Sequence, residues 1–260
     1  MKATDDVERL DKEKHSRYRT GVGMLLYLVK HSRPDIANAV RELSKCLDAP
    51  TMMAYKEMQR VAKYVIETPN KGLKFQPDFD LLDEEMQWVL ILFTDSDWAG
   101  DKESRKSVGG YMLFVNGVLL MWKSKQLPVV TLSSSESEYY ACSEGVREIP
   151  FLIQLLMFLG IKVKLPVKVW VDNVGAIFMN ENSSNSQRTR HVDVRVRFTE
   201  SLQQQGLIDI AFCPSAKNLS DGQTKNVSAE IQEKHEVEYL ADREYANVCF
   251  ADMMGPQMWN

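Results

Sequence analysis

The chain has 260 residues, a length that suits two domains and can bury a sizeable core. Its composition, 44% hydrophobic and 26% charged, is that of an ordinary globular protein, and no apolar run approaches the roughly 20 residues of a membrane helix. The net charge of -4 disfavours nucleic-acid binding through overall charge, but local basic patches remain compatible with it. The four cysteines lack zinc-module spacing and the first residues lack a signal-peptide core, so we expect an intracellular protein.

The first part of the chain has the pattern of short helices. From Gly21 to about Glu67, apolar residues recur at helical spacing in three segments, and Pro34 suits the first turn of the second one. These segments predict a small helical bundle within residues 1–76. The acidic stretch that follows predicts a linker at residues 77–86.

The pattern then changes to that of β-strands. Trp88 to Asp101 is a continuous apolar run that ends in acids, which is typical of a central strand buried on both faces. The next two β-rich runs are joined by Asn116 and Gly117, the strongest short signal for a hairpin. We therefore expect three neighbouring strands in hairpin order.

The helix that follows begins at a run of three serines, and Pro150 should bend it. After it, short apolar segments alternate with polar helical ones in the order strand, helix, strand, helix. This order predicts an α/β domain over residues 87–226, in which helices pack on a mixed sheet. Residues 227–260 should form a C-terminal helix and tail.

Four carboxylates occupy strand ends and helix starts, where an α/β sheet usually places its functional site. Asp95 lies at the end of the first predicted strand, and Asp172 lies at the end of the fourth. Glu138 lies on the first helix after the hairpin, and Asp221 lies at the start of the last helix. Taken singly, three of them have plain structural explanations of comparable weight. Asp172 and Asp221 suit helix caps, and Asp95 suits a solvated strand end.

Glu136 and Glu138 face different sides of the predicted helix. At about 3.6 residues per turn, Glu138 shares a face with the small and apolar residues that should pack on the sheet. Glu136 lies on the polar face, three residues after Ser133, and completes a capping box. An unpaired inward carboxylate costs several kcal/mol, so Glu138 needs a cation or a donor. A metal ion shared with Asp95 and Asp172 would supply one.

Several motifs together resemble one family of mobile elements. The segments are YRTGVGMLLYLVKHSRPDIANAV, TDSDWAGDKESRKSVGGYMLFVNGVLLMWKSKQLPVVTLSSSESEYYACSEGVREI, VDNVGAI, RTRHVDVR and LSDGQTKN. From about Tyr18 to Asn226 they resemble the C-terminal part of the polyprotein of copia-type LTR retrotransposons, the end of the reverse transcriptase followed by its ribonuclease H domain. The resemblance implies an RNase H-like fold, a five-stranded mixed sheet with flanking helices, after a helical segment similar to the polymerase thumb.

The resemblance also implies a metal-dependent endonuclease that hydrolyses the RNA strand of RNA–DNA hybrids. The D-E-D-D metal site of the family matches Asp95, Glu138, Asp172 and Asp221, which would hold two Mg²⁺ or Mn²⁺ ions. By this analogy Asp95 bridges both ions. Glu138 and Asp172 hold the ion on the leaving-group side, and Asp221 completes the ion that carries the nucleophilic water.

This chain departs from the family pattern after Asp221. Gly222 and Gln223 stand where relatives typically have an apolar pair, so we expect a looser helix start there. The sequence contains no YxDD turn, the motif of a polymerase active site. We therefore expect two partners, the RNA–DNA hybrid and the upstream polymerase region of the reverse transcriptase. We expect no membrane partner. The resemblance implies a cytoplasmic retroelement particle with access to the nucleus.

Local cations suit contacts to nucleic-acid phosphates despite the negative total charge. Beside Lys102, the residues expected to bind substrate are Arg105, Lys106, Lys123, Lys125, Arg188 and Arg190. A solvated sheet edge that lysines protect from aggregation explains any single strand lysine equally well. We also expect His191 to be catalytic, by shuttling a proton or aiding product release, although a surface histidine without a role is nearly as common.

Two other functions share features with this pattern. A DDE-type integrase or transposase shares the fold and the ions, but its acids come in the order Asp, Asp, Glu, whereas here the glutamate comes second. The other alternative is a catalytically degenerate or domesticated RNase H-like domain that binds nucleic acid or packs against a polymerase partner. The presence of all four acids favours the enzyme.

Overall fold

The computed structural model describes residues 9–77, 86–173 and 190–242, except for the side chains of 190–193 and 242. The chain divides into two compact units, one built from Met1–Lys74 with Leu240–Asn260 and the other from Phe75–Tyr239. Most of the predicted acidic linker lies outside the described residues. Within the described ranges, no helix is both long enough and apolar enough to cross a membrane.

Helices build the described part of the first unit, as their apolar spacing predicts. They are α1 (Lys12–His31), α2 (Ala37–Ser44) and α3 (Met52–Glu67). Helix α1 begins earlier than the apolar pattern suggests, because Asp11 caps it by accepting a hydrogen bond from the Lys14 backbone N–H. Pro34 opens a short 3-10 turn that leads into α2. Tyr18, Val40 and Met58 contribute to the shared core.

A buried ion pair joins the helices of this unit. The Arg33 guanidinium lies 2.8 Å from the Asp35 carboxylate, and both side chains are almost completely buried. Arg33 also donates to the carbonyl and hydroxyl oxygens of Thr68 at the end of α3, while the Tyr64 hydroxyl donates to Asp35. These contacts tie the turn before α2 to the end of α3.

Within the described residues, the second unit is organised around a five-stranded mixed sheet, which confirms the predicted fold class. Its strands are β2 (Trp88–Asp97), β3 (Val108–Val115), β4 (Val118–Gln126), β5 (Val163–Val171) and β6 (Ile208–Phe212), after the short β1 (Lys71–Leu73) of the first unit. The spatial order is β4-β3-β2-β5-β6. β2, β3 and β4 pair antiparallel, whereas β2, β5 and β6 pair parallel.

The hairpin between β3 and β4 follows its sequence signal. Asn116 and Gly117 have φ values of 45° and 77°, the left-handed conformation that a two-residue type I′ turn requires at both positions. The Asn116 side-chain oxygen also accepts a hydrogen bond from the Val89 backbone N–H at 2.6 Å. The turn is therefore attached to the beginning of the central strand.

The helices of the second unit cover both faces of the sheet. They are α4 (Ser134–Val146), α5 (Glu148–Phe158), α6 (Arg190–Gln204), α7 (Asp221–Thr224) and α8 (Ala229–Tyr239). The single bent helix predicted around Pro150 is instead two helices, α4 and α5. Because Pro150 has no N–H to donate to the Val146 carbonyl and its ring crowds that group, the helix is interrupted at Arg147, just after Val146.

Two adjacent glycines let α4 and α7 approach β3 from opposite sides. A side chain at Gly109 would meet Ala141 of α4, and one at Gly110 would lie 2.7 Å from Gln223 and 2.8 Å from Thr224 of α7. Successive residues of a strand point to opposite faces, so the two glycines leave room for a helix on each face of the sheet at the same position along β3. At this position along the sheet, Asp95 of β2 pairs with Gly110.

A short strand pairing closes the first unit. β7 (Leu240–Asp242) follows α8 and pairs antiparallel with β1, so that Leu73 lies opposite Leu240 and Lys71 opposite Asp242. The amino-acid pattern gave no sign of this pairing, because each strand has three residues and lies beside a longer helical segment.

Candidate active site

Three of the four predicted acids meet at one end of the sheet. β2 and β5 are parallel neighbours with Phe93 opposite Trp170, so the same register carried forward sets Asp95 beside Asp172. Glu138 reaches the same place from the first turns of α4. Carboxylate oxygens of Asp95, Glu138 and Asp172 all lie within 4.8 Å of one another.

The Glu138 side chain is held inside the protein by one neighbour. Its Oε1 accepts hydrogen bonds from the Ser96 backbone N–H at 3.1 Å and from the Ser96 hydroxyl at 2.8 Å. Its Oε2 is buried and has no hydrogen-bond partner among the described residues. Burial, together with the nearby Asp95 and Asp172 carboxylates, raises the pKa of Glu138 to about 9. One oxygen is thus left for a cation.

Glu136 caps α4, as predicted, but with a different backbone partner. Ser133 accepts a hydrogen bond from the Glu136 backbone N–H at 3.1 Å. The Glu136 carboxylate accepts from the Leu132 N–H at 2.7 Å, one residue before the N–H that a standard capping box uses. The two glutamates therefore have separate environments, one at the helix start and the other in the acidic cluster.

Asp221 lies beside the cluster at the start of α7. Asn218 donates to the Thr94 carbonyl of β2 at 2.9 Å and accepts from the Ser220 hydroxyl, which holds this start against the sheet. Helix α7 is a single turn, but Asp221 itself is only 5% exposed. Burial and the charge of Asp95 raise the pKa of Asp221 to about 7. Gly222 and Gln223, which we expected to loosen the helix start, therefore do not expose Asp221.

Two neighbours of the cluster were missed from the sequence. The Thr224 hydroxyl donates to Asp95 Oδ2, and Lys225 Nζ lies 3.5 Å from Asp95 Oδ1 and 3.4 Å from Asp221 Oδ1. Burial lowers the pKa of Lys225, but the surrounding carboxylates outweigh burial and raise it. The spacing held a signal, because residues three and four places after Asp221 return to its side of a helix.

The chemistry of these donors fits a hard divalent cation. The potential ligands are all carboxylate oxygens, which Mg²⁺ and Mn²⁺ prefer and which suit zinc less well in the absence of His or Cys. Asp172 is oriented by a hydrogen bond from the Ser215 hydroxyl at 2.8 Å, and burial together with Asp95 raises its pKa. A divalent ion would offset both the burial and the mutual repulsion that raise the pKa values of these carboxyl groups.

A basic groove lies between α4 and the edge strand β4. It is a cavity of about 250 Å³ whose wall includes Lys123, Lys125, Arg147 and Arg195. The Arg195 guanidinium stacks 3.8 Å from the Tyr140 ring centre and donates to Glu144 at 2.8 Å. Lys123 and Lys125 point to one face because they alternate along β4. Glu144 offsets part of the charge, and the groove remains cationic.

The other predicted substrate contacts are placed less completely. Lys102 and Arg105 are exposed and Lys106 is half-buried in the turn after β2, where the Arg105 N–H donates to the Asp101 carbonyl. Arg188 and the side chains of Arg190 and His191 lie outside the described residues. Arg195, one turn into α6, was not singled out from the sequence.

The class of protein follows from the sheet and the acids together. A mixed sheet of order β4-β3-β2-β5-β6, with acids at the ends of β2 and β5 and a third on the helix after the hairpin, is an RNase H-like fold. A crystal structure of LC11-RNase H1 in complex with an RNA/DNA hybrid is similar at 14% sequence identity, covering 52% of this chain and 93% of that one. Its TM-score is 0.38, so the assignment rests on topology rather than on this superposition.

Sequence comparison identifies the family. The chain is 32% identical over 213 residues to the retrovirus-related Pol polyprotein from transposon RE1 of Arabidopsis thaliana, covering 82% of this chain and 14% of that protein. It is 32% identical over 210 residues to that from transposon TNT 1-94 of Nicotiana tabacum, covering 81% and 15%. No family model matches the chain. The chain belongs to the Pol polyproteins of copia-type retrotransposons, contains an RNase H domain, and spans about one seventh of the RE1 relative's length.

Proposed function

We propose that the second unit is a metal-dependent endonuclease that hydrolyses the RNA strand of RNA–DNA hybrids. The observation that carries this proposal is the buried acidic cluster, in which Asp95, Glu138 and Asp172 converge and Glu138 keeps an oxygen without a described hydrogen-bond partner. Membership of the Pol polyprotein family supports the same reaction.

Asp95, Glu138, Asp172 and Asp221 would hold two Mg²⁺ or Mn²⁺ ions. Such ions, when bound, activate a water molecule and stabilise the oxygen that leaves the scissile phosphate. The chain's own contribution is to fix its carboxylates beforehand. Ser96, Ser215 and Thr224 each donate a hydrogen bond to one of the clustered acids, which preorganises them for a positive charge.

The basic groove supports binding of the nucleic-acid backbone. β4 lies two strand spacings from β2, about 10 Å, so one bound duplex could contact both the groove and the acids. We assign phosphate contacts to Lys123 and Lys125 in the groove and to Arg105 and Lys106 in the turn after β2. The protein would distinguish the hybrid from a DNA duplex through contacts to the 2′-hydroxyl groups of the RNA strand.

The proposal also covers the residues before α6, the helical first unit and the segment between the two units. We assign Arg188 and Arg190 to the substrate and His191 to proton transfer or product release. The helical first unit would act as a thumb-like segment next to an upstream polymerase region, which we propose as a partner in a cytoplasmic retroelement particle with access to the nucleus. The proposed linker at residues 77–86 and RNase H domain at 87–226 complete this organisation.

Cleavage of a labelled RNA–DNA hybrid tests the proposal. We expect the full chain to cut the RNA strand in Mg²⁺, to leave a DNA duplex of the same sequence intact, and to lose cleavage in EDTA. Asp95→Asn should abolish cleavage, while Asp209→Asn, which removes an acid paired with Lys168 on β6, should leave it unchanged. Hybrid binding without cleavage in Mg²⁺ or Mn²⁺ would instead indicate the degenerate binding domain.

A further inference from the structure

Lys225 brings a positive charge into the acidic site. Its Nζ lies 3.5 Å from Asp95 Oδ1 and 3.4 Å from Asp221 Oδ1, and the Asp95 side chain is fully buried. The preceding residue, Thr224, donates to the other oxygen of Asp95. Both contacts depend on the close packing of α7 against Gly110. The ammonium is thus part of the site's architecture rather than a surface charge that happens to lie nearby.

We propose that Lys225 is a resident counter-cation: it neutralises Asp95 and Asp221 in the metal-free protein and withdraws when a divalent ion binds between them. This inference rests on the proposed function for the identity of the site, but it concerns how the site is filled. It divides the cluster into a part that Lys225 neutralises and a part around Glu138 and Asp172 that a first ion can enter.

The charges of the cluster support this division. In the described part of the chain Lys225 makes ion pairs with Asp95 and Asp221 and none with Glu138. Asp221 Oδ1 and Glu138 Oε2 both lack a hydrogen-bond partner there, but only Asp221 Oδ1 has the ammonium beside it. Removing the partner of a buried carboxylate is strongly destabilising, so the metal-free site needs some cation. A second divalent ion would be repelled by the ammonium as long as it remains in place.

The lysine side chain is suited to leaving the site. It is 36% exposed, and its flexible stem can carry the ammonium into water without moving α7. We therefore expect metal binding in two steps, a first ion that leaves Lys225 in place and a second that competes with it. The second step should be the weaker one.

Metal titration of the full chain tests this without any cleavage readout. We would measure Mg²⁺ binding by calorimetry, and melting temperature in EDTA and in Mg²⁺, for the wild type and for Lys225→Met, Lys225→Arg and Lys217→Met. Lys225→Met should melt at a lower temperature in EDTA, gain more from Mg²⁺ than the wild type, and bind the second ion about tenfold more tightly or better. Lys225→Arg should restore the melting temperature in EDTA and keep the second step weak.

Lys217→Met is the matched control, because Lys217 is an exposed lysine in the turn just before α7. It should change neither property. An unchanged Mg²⁺ isotherm in Lys225→Met, or a loss of stability that Mg²⁺ does not restore, would overturn the inference and leave Lys225 a structural residue. Failure of the wild type to cleave hybrid while it binds Mg²⁺ in two steps would refute the proposed function alone.

Discussion

Glu136 and Glu138 have different partners although they are two residues apart. Helix α4 turns Glu136 toward the backbone before its first turn and Glu138 toward Ser96 and Asp95. The helical period made this difference predictable, because Ala141, Cys142 and Gly145 mark the face that packs on the sheet.

Replacing each glutamate by glutamine should separate capping from metal binding. Glu136→Gln keeps an oxygen that can accept from the Leu132 N–H, so we expect a loss of at most about 1 kcal/mol in the free energy of unfolding and nearly normal cleavage. Glu138→Gln removes a charged ligand, so hybrid cleavage should fall by orders of magnitude while metal-free stability stays equal or rises. Cleavage in Mg²⁺ and thermal melts in EDTA measure both. Equal activity in the two variants would contradict the assignment of Glu138.

The stability of the metal-free protein should fall as pH rises. The unfolded chain releases the Glu138 proton near its ordinary pKa of 4.5, whereas the folded chain retains it up to about 9 because the site is buried and acidic. Over this interval the folded state binds more protons, so raising the pH lowers the free energy of unfolding. Melting temperatures in EDTA from about pH 5 to about pH 9 should show this decline.

Two comparisons decide whether the cluster causes the decline. In Glu138→Gln the decrease should be smaller, because the group with the raised pKa is gone. In saturating Mg²⁺ the wild type should also show a flatter profile, because a bound cation favours the ionised carboxylates. A metal-free profile that is flat or rises with pH would contradict the electrostatic account of the site.

At the scale of elements, local patterns predicted strands and helices well but not their mutual contacts. The hairpin at Asn116 and Gly117 and the buried central strand follow from turn chemistry and apolar periodicity. The position of Thr224 and Lys225 against Asp95 depends on α7 docking at Gly110, a tertiary contact between residues far apart in the chain. The four-residue spacing indicates only that Lys225 shares a helix face with Asp221, and no local propensity brings that face against Asp95.

The groove between α4 and β4 should account for part of the salt dependence of hybrid binding. Lys123→Gln with Lys125→Gln removes two cations from one wall of the groove, so affinity should fall and the slope of log K against log salt should flatten by about 2 if both contact phosphates. Fluorescence anisotropy with a labelled hybrid at several salt concentrations measures this.

A control pair exists at the opposite end of the sheet. Lys162 and Lys164 are exposed near the start of β5, so replacing both by glutamine removes the same charge far from the ends of β2 and β5 where the acids lie. This pair should leave the slope nearly unchanged. Equal flattening by both pairs would show that net charge, rather than the groove, determines binding.

At the scale of the whole molecule, the second unit should fold alone. Its core lies between the sheet and α4, α5 and α6 and is contained within Phe75–Tyr239. A fragment of these residues should give a cooperative thermal transition and a near-UV circular dichroism spectrum typical of fixed tertiary packing. If the helical unit adds grip as a thumb would, the fragment should bind hybrid more weakly than the full chain. A molten fragment would place the boundary elsewhere.

The pairing of β1 with β7 joins the segment that precedes the second unit to the segment that follows it. Gly72 and Ala241 lie opposite each other, so the polypeptide leaves the first unit and returns to it at neighbouring points. A protease that cuts once between residues 78 and 85 would therefore cleave the chain without releasing a piece, since three pairs of opposed residues in β1 and β7 still join the two fragments. Cysteines at positions 72 and 241 would turn that association into a covalent ring, within reach of disulfide geometry for directly opposed strand residues.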